Sequence, residues 1–144
     1  AAKLDGIISL DDLQYKRFGW EFVPYRGATP GIKVIDGVAY AHYHTSGVMG
    51  RAISGEHPAH SLLTKQYMSC TSGHLHTLDY SVRTTGSGKN IQGLMAGVFQ
   101  DYFADFAGEA NDLWWRGVIV KRNVNEGTYD PEFISIPRLK QEYK

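Results

Sequence analysis

Two of the six histidines in this chain stand one residue apart behind a glycine, in the run Thr71-Ser72-Gly73-His74-Leu75-His76-Thr77-Leu78-Asp79. A neutral imidazole is a common ligand of transition metals, so two within reach of one point are a metal-binding arrangement. In an extended backbone His74 and His76 project from the same face, because side chains alternate with period two. In a loop just past a strand the pair instead splays around two neighbouring ions. Gly73 permits a tight turn or a close backbone approach. The plain alternative is a polar turn with two solvated histidines, since a bare His-x-His specifies no site.

Other residues of the right type stand nearby in the pattern. His42 closes an apolar run, and His44 competes with it for a ligand role. Asp79 either orients a ligand imidazole through its second ring nitrogen or is a surface carboxylate. Arg51 lies in the glycine-punctuated stretch 44–55, where it either binds a phosphate oxygen or is solvated. That stretch lacks the Gly-Lys-Ser/Thr ending of a nucleotide-binding loop. His57 and His60 read as surface residues, Cys70 as a buried strand residue, and Trp114 and Trp115 as strand packing rather than a base-stacking platform.

The elements that must carry these residues are mostly strands. Ser9 followed by Asp11 and Asp12 predicts a helix running to about Arg17. Alternation predicts a strand over 20–25 with Pro24 near its end, and short strands over 32–35 and 38–43 around the hairpin signal Asp36-Gly37. Residues 44–55 read as a loop and 59–66 as a helix. Strands follow over 67–70, 78–83, 91–99, 113–124 and 129–136, with a short helix or tail at the end. The expected fold class is α+β, a layered β-sandwich with flanking short helices. If the strands ending at His42 and Cys70 are neighbours, then His42, His74 and His76 share one sheet edge.

Composition narrows the setting. A chain of 144 residues is the size of a single domain, and 42% hydrophobic with 21% charged residues is ordinary for a globular protein. Fifteen basic residues balance fifteen acidic ones, so bulk charge does not draw the chain to nucleic acid. No stretch approaches a membrane span, no signal peptide is expected, and one cysteine fits a reducing cytoplasm.

His42, followed by Gly73-His74-Leu75-His76, resembles the closing motifs of the calcineurin-like metallophosphoesterases: a lone histidine after a strand, then Gly-His-x-His. The segments Trp20-Glu21-Phe22-Val23-Pro24-Tyr25, Ser46-Gly47-Val48-Met49-Gly50-Arg51 and Trp114-Trp115-Arg116-Gly117-Val118 are similar to a phage-associated branch. The resemblance spans nearly the whole chain. It implies phosphoester hydrolysis by two divalent ions (Mn, Zn, Fe or Ni), with His42 and His74 on one ion and His76 on the other. It also implies a gap. The family's Asp-x-His, Gly-Asp and Gly-Asn-His motifs are not among these residues. The chain then corresponds to the C-terminal half of that fold, residues 1–144 forming one unit. A second segment or polypeptide supplies the bridging aspartate and the asparagine, and a phosphoester, nucleic acid included, is the substrate. Two other functions fit the sequence: a non-catalytic, partner-binding module, such as one in a phage assembly, and a mononuclear metal protein using His42, His74 and His76.

Overall fold

The computed structural model describes residues 9–143. Among the described residues, nine strands and two α-helices follow one another as β1 (Lys33–Ile35), β2 (Val38–Ala41), β3 (Thr45–Ser46), β4 (Arg51–Ala52), α1 (Pro58–Gln66), β5 (Ser69–Ser72), β6 (Leu78–Thr84), β7 (Asn90–Ala96), β8 (Gly117–Asn125), β9 (Thr128–Ser135) and α2 (Ile136–Glu142). Helical 3-10 turns lie at Leu10–Leu13 and Asp105–Leu113. The fold is mixed α+β with strands dominant, as composition and alternation imply. No described helix is long and apolar enough to cross a membrane.

The main sheet has the order β1-β2-β5-β7-β6. Its central strands β2, β5 and β7 are parallel, and the outer strands β1 and β6 pair antiparallel. The β1–β2 hairpin forms at Asp36-Gly37, where both residues take positive φ (+47° and +80°), the backbone of a two-residue primed turn. Parallel β2 and β5 require a crossover, and α1 supplies it. Pro58 sits in the first turn of α1, and Ala59, Leu62 and Leu63 are buried on its inner face. A Cβ at Gly93 of β7 would lie 2.3 Å from the Ala59 carbonyl oxygen, so only glycine admits the helix this close. Ala39, Ile53, Leu62, Cys70 and Met95 form the core on this side, with Leu75 packed against them.

The β8–β9 ribbon packs on the sheet as well. Tyr80 and Trp115 both meet Phe133 at 6.0 and 6.3 Å between ring centroids. The buried Gln92 side chain donates to the Tyr129 carbonyl (2.8 Å) and accepts from the Tyr129 N–H (2.6 Å), pairing with the ribbon as a backbone unit would. Lys121 donates to Tyr40 Oη (3.1 Å) and to Thr71 Oγ1, with its ammonium 4.3 Å from the Tyr40 and Tyr129 ring centroids. Burial lowers the Lys121 pKa to about 8.

Three local expectations are corrected. The helix over 9–17 is a single 3-10 turn, because Gln14 takes φ +49° and the chain leaves the helical path there. Residues 20–25 form no described strand pairing, and Trp20 stays 69% exposed. Alternation alone does not make a strand: Glu21 is ion-paired with Lys33 of the edge strand β1, but the two segments form no ladder. The loop 44–55 contains the small β3–β4 ribbon. Elsewhere the shifts are small: Tyr67 caps α1 in the left-handed region, delaying the strand predicted at 67–70 to β5.

The chain exposes more surface than a compact monomer. Its accessible area is 10114 Å², against about 7,400 Å² expected for 16.1 kDa. The nine residues outside the described span account for at most about 1,400 Å² of that even at the extended-chain rate. Phe18, Trp20 and Phe22, with Val34 and Ile35 of the edge strand β1, are among the exposed apolar side chains.

Candidate metal centre at the strand ends

Strand pairing decides where the histidines meet. The parallel register Ala41↔Ser72 sets His42 abreast of Gly73. The His42 carbonyl accepts from the Gly73 N–H (3.0 Å) and from Ser72 Oγ (3.3 Å), which fastens the two strand ends together. Past that clasp the backbone turns sharply: Leu75 N–H donates back to the Gly73 carbonyl at 2.7 Å. His74 and His76 sit at φ +65° and +62°. Left-handed backbone at a non-glycine residue is strained by about 1–3 kcal/mol and is concentrated at functional sites. Leu75 between them turns inward to the core. The pair therefore lies in a loop past a strand and is splayed, not projected from one extended face.

His74 turns toward His42. His74 Nδ1 lies 3.3 Å from His42 Nε2, and the two rings meet edge-on with centroids 5.0 Å apart. Two imidazole nitrogens on one tetrahedral zinc, each at 2.0–2.1 Å, stand about 3.3 Å apart, so this separation matches a shared cation in length, as it matches a ring-to-ring hydrogen bond. Both rings reach solvent. On the other side of His42, Tyr25 Oη lies 2.5 Å from Nδ1. When Nδ1–H donates to that oxygen, the Nε2 lone pair is left facing His74, which is the tautomer a cation needs. Tyr43 packs against both rings at 5.5 and 4.9 Å, and its hydroxyl donates to the Ala28 carbonyl. Tyr25 and Tyr43 were not singled out by any spacing. Tyr25 lies seventeen residues before His42, and only the folded path of 24–31 brings it back.

His76 packs against a different neighbour. Its carbonyl accepts from the Trp115 N–H (3.0 Å), and its ring stands edge-on to Trp114 at 4.3 Å. Burial is the main cause holding the pKa values of His74 and His76 below the ordinary imidazole value. Neighbouring positive charge adds to it, from His42 for His74 and from His74, His42 and Arg116 for His76. Both rings are thus biased toward the neutral, ligating form. Among the described residues no third histidine, cysteine or carboxylate joins a pair to make a metal-binding group of three.

The remaining candidates fall elsewhere. His44 is 2% exposed, and neither ring nitrogen has a hydrogen-bond partner among the described residues. Burial depresses its pKa, and the backbone at Thr71 and Ala39 offsets this only in part, without an ordinary hydrogen bond. Asp79 accepts from the Ala59 N–H at 2.8 Å, so its carboxylate caps the first turn of α1 from β6. Arg51 is exposed on β4. His57 and His60 are exposed at the start of α1. Cys70 is fully buried with its thiol pKa raised to about 11. No family model, curated protein or solved structure matches this chain.

Proposed function

We propose that this chain supplies the histidine half of a dinuclear phosphoesterase site, in the layered C-terminal half of a metallophosphoesterase-like sandwich. The observation that carries the reading is the pairing of His42 Nε2 with His74 Nδ1 at 3.3 Å while His76 packs separately against Trp114. That division, two imidazoles for one ion and one for another, is what the motif resemblance implies. His42, steered by Tyr25, and His74 would hold the first ion, and His76 would contribute to the second. Such ions, when bound, orient a phosphate and lower the pKa of the water that attacks it in line. The chain's own residues position the ligands, bias His74 and His76 toward the neutral form and leave the site open to solvent.

Imidazoles alone do not neutralise two divalent charges, so the carboxylate ligands come from another segment or a second polypeptide. The surface in excess of a compact monomer supports this. So do the exposed aromatic segment 18–22 and the bare apolar edge β1, which a second body would cover. The same surface also favours the second reading, a non-catalytic module that binds a partner through these residues.

Native mass spectrometry of the protein from its own source separates the two. A complex, or a longer chain, carrying two divalent ions and the missing aspartates supports the phosphoesterase. A partner complex free of metal overturns it and supports the module.

A further inference from the structure

The segment beside His76 carries a row of aromatic faces. Trp114 meets His76 at 4.3 Å and Phe106 at 6.2 Å. The Arg116 guanidinium stacks on Phe103 at 4.6 Å and lies 5.7 Å from the Trp114 ring. Phe103 and Phe106 are 65% and 88% exposed, so their outer faces are open.

Arg116 is built into this surface. It donates to the Asn111 carbonyl (3.1 Å), the Asn111 Oδ1 (3.2 Å), and the Trp114 and Tyr102 carbonyls (3.4 and 3.5 Å), all neutral acceptors. Its Nε is buried without a partner, and it forms no ion pair with a described carboxylate. Asn111 in turn is 4% exposed and clamps Ala104 from both sides, donating to its carbonyl and accepting from its N–H at 2.9 Å each. The result is an aromatic shelf of mutually tilted rings beside His76, with the Arg116 guanidinium stacked on Phe103 and held by neutral acceptors.

We propose that this shelf binds the nucleobase of a nucleotide whose phosphate lies at the histidine edge. The inference rests on the phosphoesterase reading and names its substrate class. Aromatic faces accept any base by stacking, and a fixed guanidinium favours an anion. Asp105, Glu109 and Asp112 lie on the same segment, and the chain's net charge is zero. These oppose a long polyanionic track, so the ligand is a mononucleotide or the terminal nucleotide of a strand rather than an extended one.

The test titrates the full chain with 2-aminopurine riboside 5′-monophosphate, whose fluorescence falls when the base stacks, with ribose 5-phosphate as the base-free competitor. Quenching is expected. Phe103→Ala and Phe106→Ala, both at exposed positions, should weaken it about tenfold or more, while Phe→Tyr at the same positions should preserve it. Zinc binding is read calorimetrically on the same samples. Zinc bound without quenching, or with quenching unchanged in both alanine variants, overturns the nucleobase inference alone. Quenching together with a zinc isotherm that His42→Ala and His74→Ala leave unchanged supports the shelf and overturns the phosphoesterase reading. Burial of Phe103 and Phe106 under a protein partner in the native complex also overturns the inference.

Discussion

His42 and His74 meet nitrogen to nitrogen at 3.3 Å although thirty-two residues separate them in the chain. The cause is the parallel register of β2 and β5, which brings the end of one strand level with the glycine that follows the other. Everything near the pair holds it there: the Ser72 and Gly73 bonds to the His42 carbonyl, and the Tyr25 hydroxyl behind the His42 ring.

Tyr25 is a positioning residue for His42. Tyr25→Phe should weaken zinc binding about 10- to 100-fold, the usual effect of removing a partner of a ligating imidazole. It should also move the His42 ring nitrogens in ¹⁵N spectra toward a mixed tautomer population. A purely structural role would lower the melting temperature without changing the tautomer.

His44 should prove dispensable for metal. Two buried ring nitrogens without partners are unfavourable, and an apolar side chain of similar size removes that burden. His44→Leu is expected to leave zinc affinity unchanged and to raise stability by about 1 kcal/mol in urea denaturation. Lost zinc binding in this variant would move the ligand role from His42 to His44.

Lys121 gives a pH signature. Its folded pKa of about 8 lies below the ordinary value of 10.5, so above pH 8 the unfolded chain binds more protons than the folded one. Stability should therefore rise as pH increases from 8 toward 10.5. Cys70 opposes this, since its raised pKa of about 11 makes the folded state hold a proton that the unfolded state loses above pH 9. Between pH 8 and 9 Lys121 dominates, with Cys70 offsetting part of its effect, so the Lys121 contribution is read in a Cys70→Ala background. A rise of about 1 kcal/mol or less is expected there after solvent screening, and none in Cys70→Ala combined with Lys121→Met.

Gly93 is required by α1. Gly93→Ala places a methyl group against the Ala59 backbone carbonyl, which has no freedom to move aside. A loss of about 1–3 kcal/mol is expected, or failure to fold. Gly86, where an added Cβ would meet nothing within 4 Å, is the control: Gly86→Ala should be nearly neutral.

Much of the sheet could be read from the chain because its signals are local. Asp36-Gly37 forms the expected turn, the apolar run 38–41 is a buried central strand, and His42 does stand at its end beside the residues preceding His74. The segment 20–25 alternates as a strand does, but pairing is a property of two segments: Glu21 reaches Lys33 of the edge strand β1, yet no ladder forms between them. The splay of His74 and His76 depends on two left-handed backbone angles that no residue type there announces. His44 and His42 share one local pattern, and only tertiary packing buries one ring while leaving the other at the surface. Tyr25 and Arg116 act through contacts set by long-range folding, so neither had a spacing to reveal it.

The most direct test of the proposed metal centre is a calorimetric zinc titration of the full chain beside His42→Ala, His74→Ala and His44→Leu. The arrangement predicts a weak two-imidazole zinc site on the chain alone, lost in His42→Ala and His74→Ala and retained in His44→Leu. Unchanged zinc affinity in both alanine variants would contradict it and leave the histidine edge without a metal role.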